Sequence, residues 1–349
     1  MRERLRIFIA SCLYYSGIVR LVLFWSARTK RQLIILNYHN AEGNLQDQMR
    51  YLSRHYHILH VEEALKELYA PASVDRANTS GRDRRIPLVL TFDDGYLDNY
   101  RLAWPLAKKF QAPITIYIIP GYIESGHYFW WLAAERLLKQ LSGTKVKFDG
   151  EVYQLSQAEE RETLLKLIDT RLRYASSVAE REAFLASLQQ ELGVSLPVRS
   201  TEESNEDALP MTWEQMREME ESGLVFFGAH TVNHPVLSAL ADQKELQYEI
   251  SESRTLLEQK LEHPILTFAY PIGKPEHFGS QSVEAVRSAG YSWAVTTIED
   301  TNTQETDPYL LRRLPGDVDI HWTVMAAELA GLLGLVSRFR KKYATFFKK

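Results

Sequence analysis

The chain has almost no cysteine: Cys12 is the only one in 349 residues. A disulfide framework and a cysteine-based zinc site are both excluded within the chain, so any metal must rest on histidine and carboxylate ligands. Long apolar runs are also missing. The best stretch, Ile7 to Trp25, is broken by Arg20, and an arginine at that depth is costly in a spanning helix of about 20 residues. No clear small-residue cleavage site marks it as a removable signal. It reads instead as an amphipathic helix, lying on a membrane surface or on the protein's own core. Charge of one sign is lacking too: the formal net charge is −4, which offers no broad field for nucleic acid. Positive charge collects at the ends, in Arg2, Arg4 and Arg6, in Arg28, Lys30 and Arg31, and in the aromatic-interleaved run Arg338 to Lys349. Internal repeats, low-complexity tracts and a Gly-rich phosphate loop are absent.

What remains is an ordinary folding composition, 45% hydrophobic and 25% charged, long enough for one large α/β barrel or two domains. Leu33 to Leu36 is a short apolar run that ends in Asn37, Tyr38 and His39, a buried strand emerging at a loop. Ile86 to Phe92 is a second such strand and delivers Asp93, Asp94 and Gly95 at its end. A helix from about Asp98 to Phe110 and a strand at Ile114 to Ile119 complete a β, α, β rhythm, the pattern of a parallel sheet or barrel. The rhythm stops after Pro120. Residues 124–209 read as a mainly helical insertion with a small hairpin turning at Asp149-Gly150, and Thr212 with Gln215 forms a capping box where the rhythm resumes. Strands at Val225 to Ala229 and Ile265 to Ala269 then lead to His230 and to Tyr270-Pro271. The organisation expected is an N-terminal segment (1–31), a barrel in two parts (32–123 and 210–320) around the insertion, and a C-terminal helix with a basic tail (321–349).

Asp93-Asp94, His230 with His234, and Tyr270-Pro271 each begin where an apolar strand stops. Strand C-terminal ends converge on one face in parallel α/β folds, so these distant residues become neighbours. Alone, the histidine pair is weak: ten histidines in 349 residues give about 0.3 chance pairs at any fixed spacing. Its i,i+4 spacing puts both rings on one face if the segment is helical. Asp93-Asp94-Gly95 also suits a simple turn. Hydrolysis supplies a division of labour: one carboxylate ligates a cation while the other stays free to take a proton from the attacking water. Asp94, His230 and His234 fill the three protein positions of a catalytic zinc site, and Asp93 is left as the base.

Thr91-Phe92-Asp93-Asp94-Gly95 and His230-Thr231-x-x-His234 together resemble the first and second motifs of the NodB-type polysaccharide deacetylases, carbohydrate esterase family 4. Phe268-Ala269-Tyr270-Pro271-x-Gly273 resembles the third-motif variant of exopolysaccharide-associated members, in which backbone at the tyrosine helps hold the oxyanion. The resemblance runs from about Leu33 to Asp317 outside the insertion. It implies a distorted (β/α)7 barrel, a divalent ion (Zn2+, with Co2+, Ni2+ or Mn2+ as substitutes), and release of acetyl groups from an acetylated polysaccharide or glycan precursor. It implies a bacterial enzyme, and the basic ends suggest a membrane-associated one, with a cytoplasmic one as the alternative. Two departures stand out: Phe268 and Ala269 occupy the place of the family's arginine, and no leucine-x-histidine motif lies near the C-terminus. Tyr38-His39 resembles the N-terminal Tyr-His pair of poly-N-acetylglucosamine deacetylases, which makes His39 the general-acid candidate. His321 is the reserve, and Arg312 or Arg313 is the candidate to orient Asp93. Tyr117, Tyr122, Tyr128, Phe129, Trp130 and Trp131 either pack the insertion on the barrel or stack on sugar. The competing readings are an inactive barrel that scaffolds a polysaccharide-synthesis complex and, less well supported, a metal-dependent phosphoesterase.

Overall fold

The strand Ile86–Asp94 is apolar on both faces because it is covered on both. Leu88, Leu90 and Phe92 pack outward among the helices, whereas Val89 joins Ile35, Tyr117, Ala269 and Val295 in an inner cluster. By the two-residue period of a strand, Thr91 and Asp93 continue the inward row. A computed structural model describes residues 2–29, 32–70, 83–141, 143, 145–199 and 208–333. Its strands are β1 (Ile34–Tyr38), β2 (Tyr56–Ile58), β3 (Ile86–Asp94), β4 (Ile114–Ile118), β5 (Lys145–Phe148), β6 (Glu151–Gln154), β7 (Val225–Ala229), β8 (Thr267–Ala269), β9 (Trp293–Val295) and β10 (Leu314–Pro315).

The main sheet is parallel throughout and runs β10-β1-β3-β4-β7-β8-β9, seven strands on one path, with β2 added beside β3. Leu311 bridges Val295 while Leu314 pairs with Leu36, so the segment between them joins the two ends of the sheet. This is the curled (β/α) barrel anticipated for the chain. Register then fixes the site: Tyr38 stands level with Phe92, Asp94 with Ile118, Ile118 with Ala229, and Ala229 with Phe268. His39, Asp93, Asp94, His230 and Tyr270 therefore emerge along one rim.

The insertion between β4 and β7 has the helices Trp130–Gln140, Ala158–Arg173 and Val178–Leu192 and the antiparallel hairpin β5-β6. Asp149 and Gly150 both have positive φ, 53° and 88°, as a tight hairpin turn needs. Its own core, including Phe129, Trp130, Leu137, Leu164, Ile168 and Leu185, meets Tyr96 and Ile119 of the barrel. The capping box at Thr212 and Gln215 is formed.

The N-terminal segment is not one helix. It is two, α1 (Arg2–Tyr15) and α2 (Ile18–Thr29), bent by 66° where Gly17 takes φ +82°. The basic run from Arg338 to Lys349 lies outside the described residues.

Candidate metal centre

Asp94, His230 and His234 come together at the rim, all buried, with one ligand atom from each lying within 4.8 Å of the others. His230 Nε2 is 3.6 Å and His234 Nε2 3.8 Å from Asp94 Oδ1. Three ligands around a tetrahedral zinc at about 2.0–2.1 Å would stand about 3.4 Å apart, so the donor set fits such an ion in type and spacing. The histidines do not share a helical face, however. Thr231 and His234 have φ of +62° and +55°, which breaks any helix, and Thr231 Oγ1 instead accepts the His234 amide at 3.0 Å to close a tight turn. Asp94 is also left-handed, at φ +76°, so it departs from the strand alternation that sends Asp93 inward. Backbone strain thus collects at the two turns that carry these three residues. Gly95 follows at φ +76°, and a side chain there would run into Ile118.

The histidines are prepared as neutral ligands. His230 Nδ1 donates to the Ala269 carbonyl at 2.7 Å, which leaves Nε2 with its lone pair facing Asp94. Burial lowers the His230 pKa to about 4, with Asp93 opposing, and burial together with the neighbouring His230 takes His234 well below its usual value. The two aspartates are driven apart. Burial and the charge of Asp93 raise Asp94 well above the carboxylate range, against a hydrogen bond from Tyr96. Burial alone would raise Asp93 as well, but Arg313, His230 and His39 outweigh it and hold Asp93 below its ordinary value. One carboxyl is pushed toward its ionised form and the other toward its neutral form.

Arg313 is the group that holds Asp93. Its guanidinium is buried and meets both carboxylate oxygens, at 2.7 and 2.8 Å, while Nε donates to the Thr296 carbonyl and Nη1 also reaches Asn37 and Thr91. All three guanidinium nitrogens are engaged. Arg312 is not its equivalent: it turns outward to Asp300 at 2.6 Å, because adjacent residues of an extended segment face opposite ways.

His39 lines the same cleft, a space of about 390 Å³ that also takes in Asn40, Tyr96, Trp130, Trp131 and Thr297. The ring is exposed to the cleft, yet the surrounding protein displaces enough water to lower its pKa, with Asp93 opposing and Arg313 adding to the effect. Two residues that the sequence did not single out fix its loop. Asp98 accepts the Ala41 amide at 2.7 Å and Asn99 donates to the His39 carbonyl at 2.9 Å, both at the start of a π-helical turn, Asn99–Ala103, where a regular helix was expected. His321 is elsewhere, capping the helix Trp322–Leu329 with its ring nitrogen on Thr323.

Tyr270 departs from its expected role. Its ring is buried, its hydroxyl donates to the Tyr309 carbonyl, and its amide is committed to the Val295 carbonyl at 3.2 Å. Pro271 is buried beside it, and the residue of this turn that reaches the cleft is Ile272, at φ +61°.

The insertion forms a wall of the site. Trp131 lies 4.5 Å from the His234 ring, centre to centre, and donates to Tyr96 Oη at 2.7 Å. Trp130 Nε1 donates to the His234 carbonyl at 3.0 Å, and the buried Arg181 reaches the carbonyls of Asn233 and His234. From the opposite side Glu249 accepts both nitrogens of Asn233. The aromatic group therefore divides: Tyr122 and Phe129 are packing, whereas Trp130 and Trp131 both pack and line the cleft.

The family model described as polysaccharide deacetylase matches residues 186–294, which hold His230, His234 and Tyr270 but not the Asp93-Asp94 turn. "Putative polysaccharide deacetylase YxkH" of Bacillus subtilis (strain 168) is 21% identical over 227 residues, 65% of this chain, and the match spans only half (50%) of that relative's length. Among solved structures, the Streptococcus pyogenes deacetylase PplD in complex with acetate superposes with a TM-score of 0.52 at 19% identity, over 85% of this chain and 97% of that one. IcaB from Ammonifex degensii gives 0.52 at 19% identity over 85% and 96%, and the deacetylase domain of BpsB from Bordetella bronchiseptica 0.51 at 15% over 82% and 96%. These superpositions establish the barrel fold. The family match spans both histidines of the cluster and Tyr270, so in that part the chain resembles the polysaccharide deacetylases.

Proposed function

We propose that this chain is a metal-dependent hydrolase that removes acetyl groups from an acetylated polysaccharide or glycan precursor, with Zn2+ as the resident ion and Co2+, Ni2+ or Mn2+ able to replace it. The observation that carries the reading is the separation of the two neighbouring aspartates: Asp94 joins the two histidines, while Asp93 is locked onto Arg313. A scaffold without turnover has no need for that separation.

Asp94, His230 and His234 would hold the ion, which supplies a Lewis acid for the acyl oxygen and lowers the pKa of water. The chain's own groups do the rest. Asp93, kept ionised by Arg313, accepts the proton of the attacking water. His39, on the same cleft, delivers a proton to the departing sugar nitrogen or oxygen as the acyl bond breaks. Trp131 offers an indole face for a sugar ring, and a cleft of about 390 Å³ is of the size that takes such a small group. The presence of acetate in the PplD structure supports acetyl as the group released. The test is acetate release from acetylated chito-oligosaccharides and from O-acetylated glycans. Activity with added zinc that disappears on chelation supports the proposal, and release that continues after complete metal removal contradicts it.

A further inference from the structure

We propose that α1 and α2 form a docking face for an anionic lipid bilayer, lying in the plane of the interface and not across it. Seven of the twelve large apolar side chains that are exposed among the described residues fall within these two helices. Leu5, Phe8 and Tyr15 stand at i, i+3 and i+10 on α1, and Ile18, Leu21 and Trp25 at i, i+3 and i+7 on α2, so each set forms one helical stripe. Phe8 and Trp25 are 65% and 61% exposed. Exposure of that density has a cost in water, and burial in a headgroup layer removes it.

The opposite face is already occupied. Ala10 packs with Val324 and Ala327, Val19 and Leu23 enter the main core, and Tyr14 meets Tyr51 and Trp322 edge on. A bent helix pair docked on its own barrel cannot be surrounded by lipid. The helices are also short: among the described residues no single helix is long and apolar enough to cross a membrane, and only the pair bent by 66° passes that test jointly. Helices of 14 and 12 residues are about 21 and 18 Å long, well short of a bilayer core.

Charge selects the occupant. Residues 1–31 contain seven Lys and Arg against the single acidic Glu3, a local excess of six positive charges in a chain whose net charge is −4. A face so charged repels a second copy of itself and attracts anionic headgroups. Arg28 lies over the Phe24 ring at 3.4 Å, placing a cation directly beside the apolar stripe, as at an aromatic interfacial belt.

The test is co-sedimentation of the full chain with vesicles of phosphatidylcholine alone and with about 30% phosphatidylglycerol. The full chain is expected to pellet with the anionic vesicles and to be released several-fold on raising salt from about 0.1 to about 0.5 M. Phe8→Glu/Leu21→Glu/Trp25→Glu, changed only at exposed positions, is expected to lower partitioning by about tenfold or more while keeping wild-type metal content as proof of folding. Arg4→Gln/Arg20→Gln is expected to lose only the preference for anionic vesicles. The proposal is overturned if the full chain stays in the supernatant or if the triple Glu variant pellets like wild type. It is equally overturned if sedimentation velocity shows a dimer that the triple variant abolishes and vesicles do not bind, since the face is then a self-interface. None of these outcomes depends on deacetylase activity.

Discussion

The guanidinium of Arg313 meets both oxygens of Asp93, at 2.7 and 2.8 Å, across 220 residues of chain. The pair lies inside the barrel, where an unpaired carboxylate is expensive. Arg313→Met is expected to destabilise the fold by about 3–5 kcal/mol in a urea titration, because Asp93 is left as an uncompensated buried charge. Arg313→Lys keeps a charge but loses the fork, so kcat is expected to fall more than tenfold with bound metal unchanged. A lysine variant with wild-type kcat would show that Asp93 needs charge but no orientation.

Asp94 gives a pH prediction. Its carboxyl is raised well above the ordinary range in the metal-free protein, so the native state holds more protons than the unfolded state between the two values, and stability falls there as pH rises. His230 and His234, whose values are lowered, act in the opposite direction at mildly acid pH. The stability difference between wild type and Asp94→Asn isolates the carboxyl and is expected to move against wild type as pH rises. Zinc competes with protons for the same carboxyl, so zinc affinity is expected to rise with pH, as competitive chelator titration across pH would show.

His39→Gln is expected to lower kcat by about 10²–10³ with metal content unchanged, as loss of a proton donor predicts. Asn99→Ala, which frees the His39 carbonyl from its donor, is expected to cost part of the same factor. Equal kcat for His39→Gln and wild type would remove His39 from the mechanism.

The insertion is expected to act on metal retention as well as on substrate. Arg181→Met removes the donors that hold the carbonyls of Asn233 and His234, and zinc affinity is expected to fall about 10–100-fold. Trp131→Ala is expected mainly to raise KM for oligosaccharides. Competitive chelator titration and steady-state kinetics separate the two effects.

The sequence revealed the elements that obey local rules. Strand ends at Ala229 and Ala269 were legible because fully covered strands are apolar throughout, that of β3 only to within two residues because it runs on into Asp93 and Asp94, and the Thr212 capping box because its signature is four residues long. The partner of Asp93 was legible only as a choice between Arg312 and Arg313, since the alternation of an extended segment is decided by where it joins the sheet. The form of the turn at His230 is open in the sequence because i,i+4 spacing also fits a helix, and only the left-handed residues at Thr231 and His234 exclude that. Arg181 and Asn99 gave no signal: each acts on a backbone carbonyl, and backbone partners leave no trace in a sequence pattern.

Asp93 and Asp94 do different work in the proposed mechanism, and zinc content and acetate release measured on one preparation of Asp93→Asn separate the two roles. Separate roles predict wild-type zinc with acetate release reduced by about 10² or more, set beside an Asp94→Ala protein that has lost its zinc. An Asp93→Asn protein that loses zinc, or one that keeps both zinc and full turnover, would show that the two aspartates do not divide the work in this way.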